Sequence, residues 1–208
     1  MAINSFVTLK TAVANWLDRD DLDARIPEFI AINEAVFNRV LRIRPMETIV
    51  TAATVGGTKS YDLPTGYVQM REIHLDTSPI TSLQYLTPEM LYRVWAGSTS
   101  GIPNAYSIIG NQIYFGATPS GAYDYVMTYY KTFDGLSDAA PTNWVILNAP
   151  DVYLYGTLLQ AEPFLMNDQR IPVWERGLRQ AISDLQEQND KDRHSGSELR
   201  VMNTSGYF

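Results

Sequence analysis

The chain of 208 residues is 45% hydrophobic and 12% aromatic, enough to bury about 70% of the surface it exposes when unfolded, which excludes a disordered protein everywhere except the last few residues. A net charge of −7 and a pI near 4.8 disfavour a reader of nucleic acid, which needs a basic face to neutralise phosphates. The absence of cysteine excludes disulfides and thiolate metal sites.

Met1 to Lys10 lacks the basic start and apolar run of a signal peptide. No stretch approaches the roughly 20 apolar residues needed to span a bilayer, so the expectation is a soluble protein made in the cytoplasm. The acidic balance reads first as an ordinary solvated surface, and it does not exclude a ring lumen past which DNA slides without sticking.

Helical spacing opens the chain. Phe6, Leu9, Val13, Trp16 and Leu17 fall on one face, with Ser5 placed as N-cap. Asp18 to Asp23 is a charged turn. A second helix is predicted from Pro27, a residue tolerated in a first turn, with Phe29, Ile30, Phe37, Val40 and Leu41 as its apolar face and an end before Pro45.

The period then changes. Thr48 to Val55 is β-rich and runs into Gly56-Gly57, with Lys59 to Leu63 predicted as its hairpin partner. Val68 to Leu75 and Ile80 to Tyr85 read as strands. Thr87-Pro88-Glu89 starts a short helix to Trp95. Ala105–Ile109 and Gln112–Phe115 flank Gly110-Asn111 as a second hairpin, and Tyr123 to Lys131 alternates as a last strand. Strands this short and close together point to a small sandwich or barrel.

Helices return after Pro150. Val152, Tyr155, Leu158 and Leu159 form one face, while Tyr153 and Leu154 make the helix apolar nearly all round. Such a helix is deeply buried or lies in a subunit contact, and Tyr153 and Tyr155 are the candidate interface residues. Pro163 is expected to kink or end it. Ile171, Trp174, Leu178, Ala181, Ile182 and Leu185 line the last helix. From Lys191 the chain turns polar, with Leu199, Val201, Met202, Tyr207 and Phe208 as its only large apolar anchors. The predicted fold class is α+β: a helical bundle from residues 1–46 and 142–190, an inserted antiparallel β-sandwich or barrel over 47–141, and an extended tail over 191–208.

Chemistry is thin. His74 alternates with Ile73 and Leu75 and reads as a solvent-facing strand residue; His194 lies in the polar tail. No histidine pair has metal-ligand spacing and no P-loop is present. Gly-x-Ser-x-Gly is absent. Two carboxylates alone can hydrolyse a glycosidic bond, but Glu28, Glu34, Glu72, Asp76 and the Asp18–Asp23 turn read as solvated faces, turn formers or strand edges. No catalytic residue, cofactor or metal is expected. Thirteen tyrosines and four tryptophans suit either an aromatic core or subunit interfaces. Arg39, Arg42 and Arg44 read as positive charge at a helix end.

The segments Leu9–Leu17 and Ile26–Ile30, then Gly101-Ile102-Pro103, Ile108–Ile113 and Ala117-Thr118-Pro119, then Leu136-Ser137-Asp138, Asn143-Trp144 and Ala149–Gly156 together resemble the head-to-tail adaptor family of short-tailed and related bacteriophages. The resemblance covers most of residues 1–190. It implies a virion protein at the head-tail junction, forming a twelve-fold homo-oligomeric ring beneath the portal protein and meeting tail nozzle or tail fibre proteins. DNA would pass through the lumen without sequence-specific binding, with no membrane partner. It also implies that the tail anchors Leu199, Val201, Met202, Tyr207 and Phe208 reach the portal. Another connector or tail-completion protein, or a peptidoglycan-degrading tail component, remains an alternative.

Overall fold

The computed structural model describes residues 2–95, 99–166 and 169–193; the tail anchors from Leu199 to Phe208 and His194 lie outside them. The chain divides into two compact units. One holds Met1–Pro45 and the chain from Phe133 onward, the other Met46–Thr132.

The helical unit begins with α1 (Phe6–Leu17), whose start is set by Ser5: its side chain accepts from Thr8 N–H and the Thr8 hydroxyl returns a bond to the Ser5 backbone. Phe6, Leu9, Val13 and Leu17 are buried as the stripe requires, but Trp16 remains 45% exposed. In α2 (Ile26–Val40), Pro27 stands in the first turn; Ile26, Phe29, Ile30 and Phe37 face inward, and Val40 does not. After a short α4 (Trp144–Asn148), α5 (Pro150–Leu165) is packed by α1, α2, α4 and α6 (Ile171–Arg193). That explains its all-round apolar pattern: it is the centre of the unit. The helix continues two residues past Pro163 and stops at Met166, which adopts a left-handed conformation with φ 53°.

The connector between the units' chain segments, counted with the strands on sequence grounds, clusters with the helices. Two side chains of α2 hold it there: Asn38 Oδ1 accepts from Phe133 N–H at 3.0 Å and Glu34 Oε1 from Leu136 N–H at 2.7 Å.

The β unit is built from β1 (Glu47–Ala53), β2 (Ser60–Asp62), β3 (Tyr67–Leu75), β4 (Thr81–Ser82), β5 (Gln84–Tyr85), β6 (Ser100–Gly101), β7 (Ala105–Ile109), β8 (Gln112–Gly116), β9 (Thr118–Pro119) and β10 (Asp124–Lys131), with α3 (Pro88–Val94) capped by Thr87. One sheet has the order β1-β10-β3-β4, a second β2-β8-β7-β5, and β6 pairs with β9. The two larger sheets share one apolar core, with Ile73, Tyr125 and Met127 from the first meeting Ile113 and Phe115 from the second. The arrangement is a sandwich, and no closed barrel forms among the described residues. It is mixed rather than wholly antiparallel, because β5 runs parallel to β7 and β6 to β9.

Two strand expectations are corrected. β1 and β2 are not a hairpin: β1 pairs along its whole length with β10, and β2 pairs with β8. The Gly56-Gly57 turn carries the chain across to the other sheet instead. It is pinned there by Gly57 N–H on the Pro119 carbonyl and by the Tyr61 hydroxyl, which accepts from Val55 N–H at 2.7 Å. The segment Ile80–Tyr85 is likewise split, β4 joining one sheet and β5 the other. Buried Leu83 lies between them, its N–H on the Ile73 carbonyl.

Candidate assembly surface

Tyr153 and Tyr155, two residues apart on α5, face different surroundings. The Tyr153 ring is 0% exposed and meets Phe37 edge-on at 5.0 Å. Its hydroxyl donates to Glu34 Oε1 at 2.9 Å and accepts from Asn143 Nδ2 at 2.6 Å. Asn143 also donates to the Asp134 carbonyl and caps α4 by accepting from Ile146 N–H. One phenol therefore ties α2, the connector and the start of α4 to the central helix. Burial raises the Glu34 carboxyl above its ordinary range, opposed by the bonds from Leu136 N–H and Tyr153. Burial and the neighbouring Glu34 charge push the Tyr153 phenol far up. Tyr153 thus has no surface of its own to offer a neighbour.

Tyr155 is half-buried at the edge of an aromatic cluster. Its ring lies 6.1 Å from Trp16 and 6.3 Å from Trp174, and the two tryptophans are 5.5 Å apart. α6 approaches closely enough that a Cβ on Gly177 would meet the Tyr155 ring at 3.0 Å. Trp174 is held from below by a fully buried acid, donating Nε1–H to Glu162 Oε1 at 2.7 Å. Arg170 reaches the Trp16 carbonyl, bringing the end of α1 to the α5–α6 turn. Around that turn Phe164, Val173 and Met166 are exposed, Met166 by 89%. Spacing puts Trp16 on the apolar face of α1 and does not single out these three. Their signal was apolar residues standing beyond Pro163 and on the polar side of the last helix.

The carboxylates weighed for hydrolysis are dispersed. Glu28 pairs with Arg25 at 3.0 Å, Glu34 serves Tyr153 and Leu136, and Glu72 lies 3.6 Å from half-buried His74. Asp18, Asp20 and Asp23 rim an open groove of about 500 Å³ beside α1. Among the described residues no group of three or more His, Cys, Asp or Glu is placed to hold a metal, and no helix is long and apolar enough to cross a membrane. Arg42 Nη1 donates to the Asn38 and Leu41 carbonyls, and Arg44 Nη1 reaches the Asp192 carbonyl. These arginines serve helix ends.

Compared with known proteins, residues 4–202 match the family described as SU10 adaptor protein. The match runs through both units and past residue 190, into the tail where the sequence resemblance was weakest. No curated protein matches the chain.

Proposed function

Because the chain belongs to the SU10 adaptor protein family, and is thus a phage adaptor protein and a component of the virion, we propose that it forms a ring that joins the portal to the tail and continues the DNA channel. The observation that carries this reading is the family match over residues 4–202, which spans the helical unit, the β unit and part of the tail.

Subunit contact is assigned to the exposed apolar residues that flank the α5–α6 turn, Phe164, Met166 and Val173, together with Tyr155 and Trp16; Tyr153 acts behind them by fixing α5. The tail anchors Leu199, Val201, Met202, Tyr207 and Phe208 are assigned to the portal. From His194 an extended tail reaches about 50 Å at roughly 3.3 Å per residue, far enough to leave its own subunit. The protein works without catalysis, and its acidic surface lets DNA pass without adhering.

Molecular mass in solution, measured with and without portal, tests this. A ring on portal is expected. A chain that stays monomeric with portal present overturns the reading. Deleting Leu199–Phe208 is expected to leave the fold intact and weaken portal attachment; normal attachment by the truncated chain removes the tail assignment.

A further inference from the structure

Among the described residues no strand pairs with the outer edge of β1, and its hydrogen-bonding pattern can be read from its inner neighbour. Thr54 N–H donates to the Tyr123 carbonyl, and the register continues Ala52↔Tyr125, Val50↔Met127, Thr48↔Tyr129 without a shift. Bonded and non-bonded pairs alternate along an antiparallel ladder, so Ile49, Thr51 and Ala53 turn both N–H and C=O away from β10. β1 ends the order of its sheet, and Ile49 is 68% exposed. Natural edges are blunted by Pro, Lys, bulges or shortness. This one is seven residues long, and from Thr48 to Thr58 it carries neither proline nor charge.

We propose that this edge docks on the β1 edge of a second copy, antiparallel, about a twofold axis through Thr51. Ile49 then lies opposite the partner's Ala53, and Thr51 opposite the partner's Thr51. Every outward N–H and C=O of Ile49, Thr51 and Ala53 on both copies finds a bond in this register. It also sets no like charges opposite each other, since Glu47 falls opposite the partner's Val55. The remaining free edges of the described sheets belong to β2, of three residues, and to β4, β5, β6 and β9, of two each. Only β1 matches β1 in length. Such a contact is self-complementary and closes on itself, so it neither builds nor extends a ring. It belongs to the free subunit and uses a different surface from the α5–α6 turn.

Sedimentation of the full chain without portal, from about 1 to 500 µM, suits a weak interface smaller than about 1,200 Å², the low end of stable complexes. A monomer–dimer equilibrium is expected. Ile49→Lys, an exposed position, is expected to raise the dimer dissociation constant at least about tenfold with an unchanged circular dichroism spectrum. The chain has no cysteine, so register can be read by oxidation. Thr51→Cys meets its own copy at a Cα separation of about 5.5 Å, within disulfide range. Ala53→Cys lies four residues along the ladder from its counterpart, about 13 Å, and is expected not to cross-link. A chain monomeric throughout, an I49K variant that dimerises like the parent, or A53C cross-linking as readily as T51C overturns the proposal. A larger oligomer without the T51C cross-link does so as well.

Discussion

Asn33 and Gly156 touch where α2 crosses α5: a Cβ on the glycine would stand 2.0 Å from Asn33 Oδ1. The asparagine, 1% exposed, donates Nδ2–H to the Val152 and Tyr153 carbonyls at 3.3 and 3.4 Å. Helix backbones come this close only over a residue without a side chain. Gly156→Ala is therefore expected to destabilise the protein by about 1–3 kcal/mol, the usual cost of overpacking, despite alanine's better helix propensity. Asn33→Ala in the same chain removes the obstacle, so the double variant is expected to lose less than the two single losses added together. Urea denaturation of the four proteins gives the coupling.

Tyr153 offers a second test. Replacing it with Phe keeps the ring against Phe37 but takes a donor from Glu34 and an acceptor from Asn143. The expected loss is about 1.5–3 kcal/mol, the range for a bond to a charged group. A charged side chain at this fully buried position is expected to unfold the helical unit, read as loss of helical circular dichroism.

The same network makes a pH prediction. Glu34 titrates higher in the folded chain than its ordinary 4.5 because burial penalises its charge. The folded state then binds the proton more tightly than the unfolded chain. The stabilisation this brings is complete below about pH 4.5 and is lost as pH rises through the folded value. Glu34→Gln removes that titration. The parent's stability relative to E34Q is thus expected to be most favourable near pH 4 and to fall toward pH 7. A difference that grows with pH would show that Glu34 is stabilised as the carboxylate.

At the α5–α6 turn, Met166→Glu and Val173→Glu change residues that face solvent. Stability is expected to move by less than about 0.5 kcal/mol, as for surface substitutions generally. Association measured by light scattering in the presence of portal is expected to drop. Loss of thermal stability with unchanged association would take the subunit contact elsewhere.

Duplex DNA gives a fifth measurement. A chain of net charge −7, with Arg42 and Arg44 engaged at helix ends, can neutralise few phosphates. Retention on a DNA column is expected to vanish by about 0.15 M salt, where nonspecific binding has already weakened steeply.

What could be read from residues alone was whatever depended on near neighbours. The Ser5 cap, the stripe Phe6-Leu9-Val13-Leu17, the Gly110-Asn111 hairpin and the Thr87 cap each follow from local spacing, and the structure has them. Gly56-Gly57 announced a turn but not its destination, because turn chemistry does not name the strand that follows. Trp16 fits the α1 stripe by angle, yet the surface it meets is set by α5 and α6. Asn33 and Glu162 look like solvated helix residues until Gly156 and Trp174 are brought to them across the chain. The aromatic excess divides in the same way: Phe115 and Tyr125 fill a core, while Phe164 rests on Phe29 and stays half exposed, and periodicity could not separate them.

The place of β10 in its sheet has a consequence for synthesis on the ribosome. This strand lies between β1 and β3, yet it is the last of the described strands to emerge. At ~5–20 residues per second, β1 waits on the order of ten seconds for β10, its one partner among the described strands. The helices are in a similar position, since α1 and α2 pack on α5, which emerges later still. Both units therefore stay incomplete through most of translation, and the strand unit closes first. During that interval β1 is open on both edges, which makes nascent chains on one crowded message the setting in which mispairing between copies is most costly.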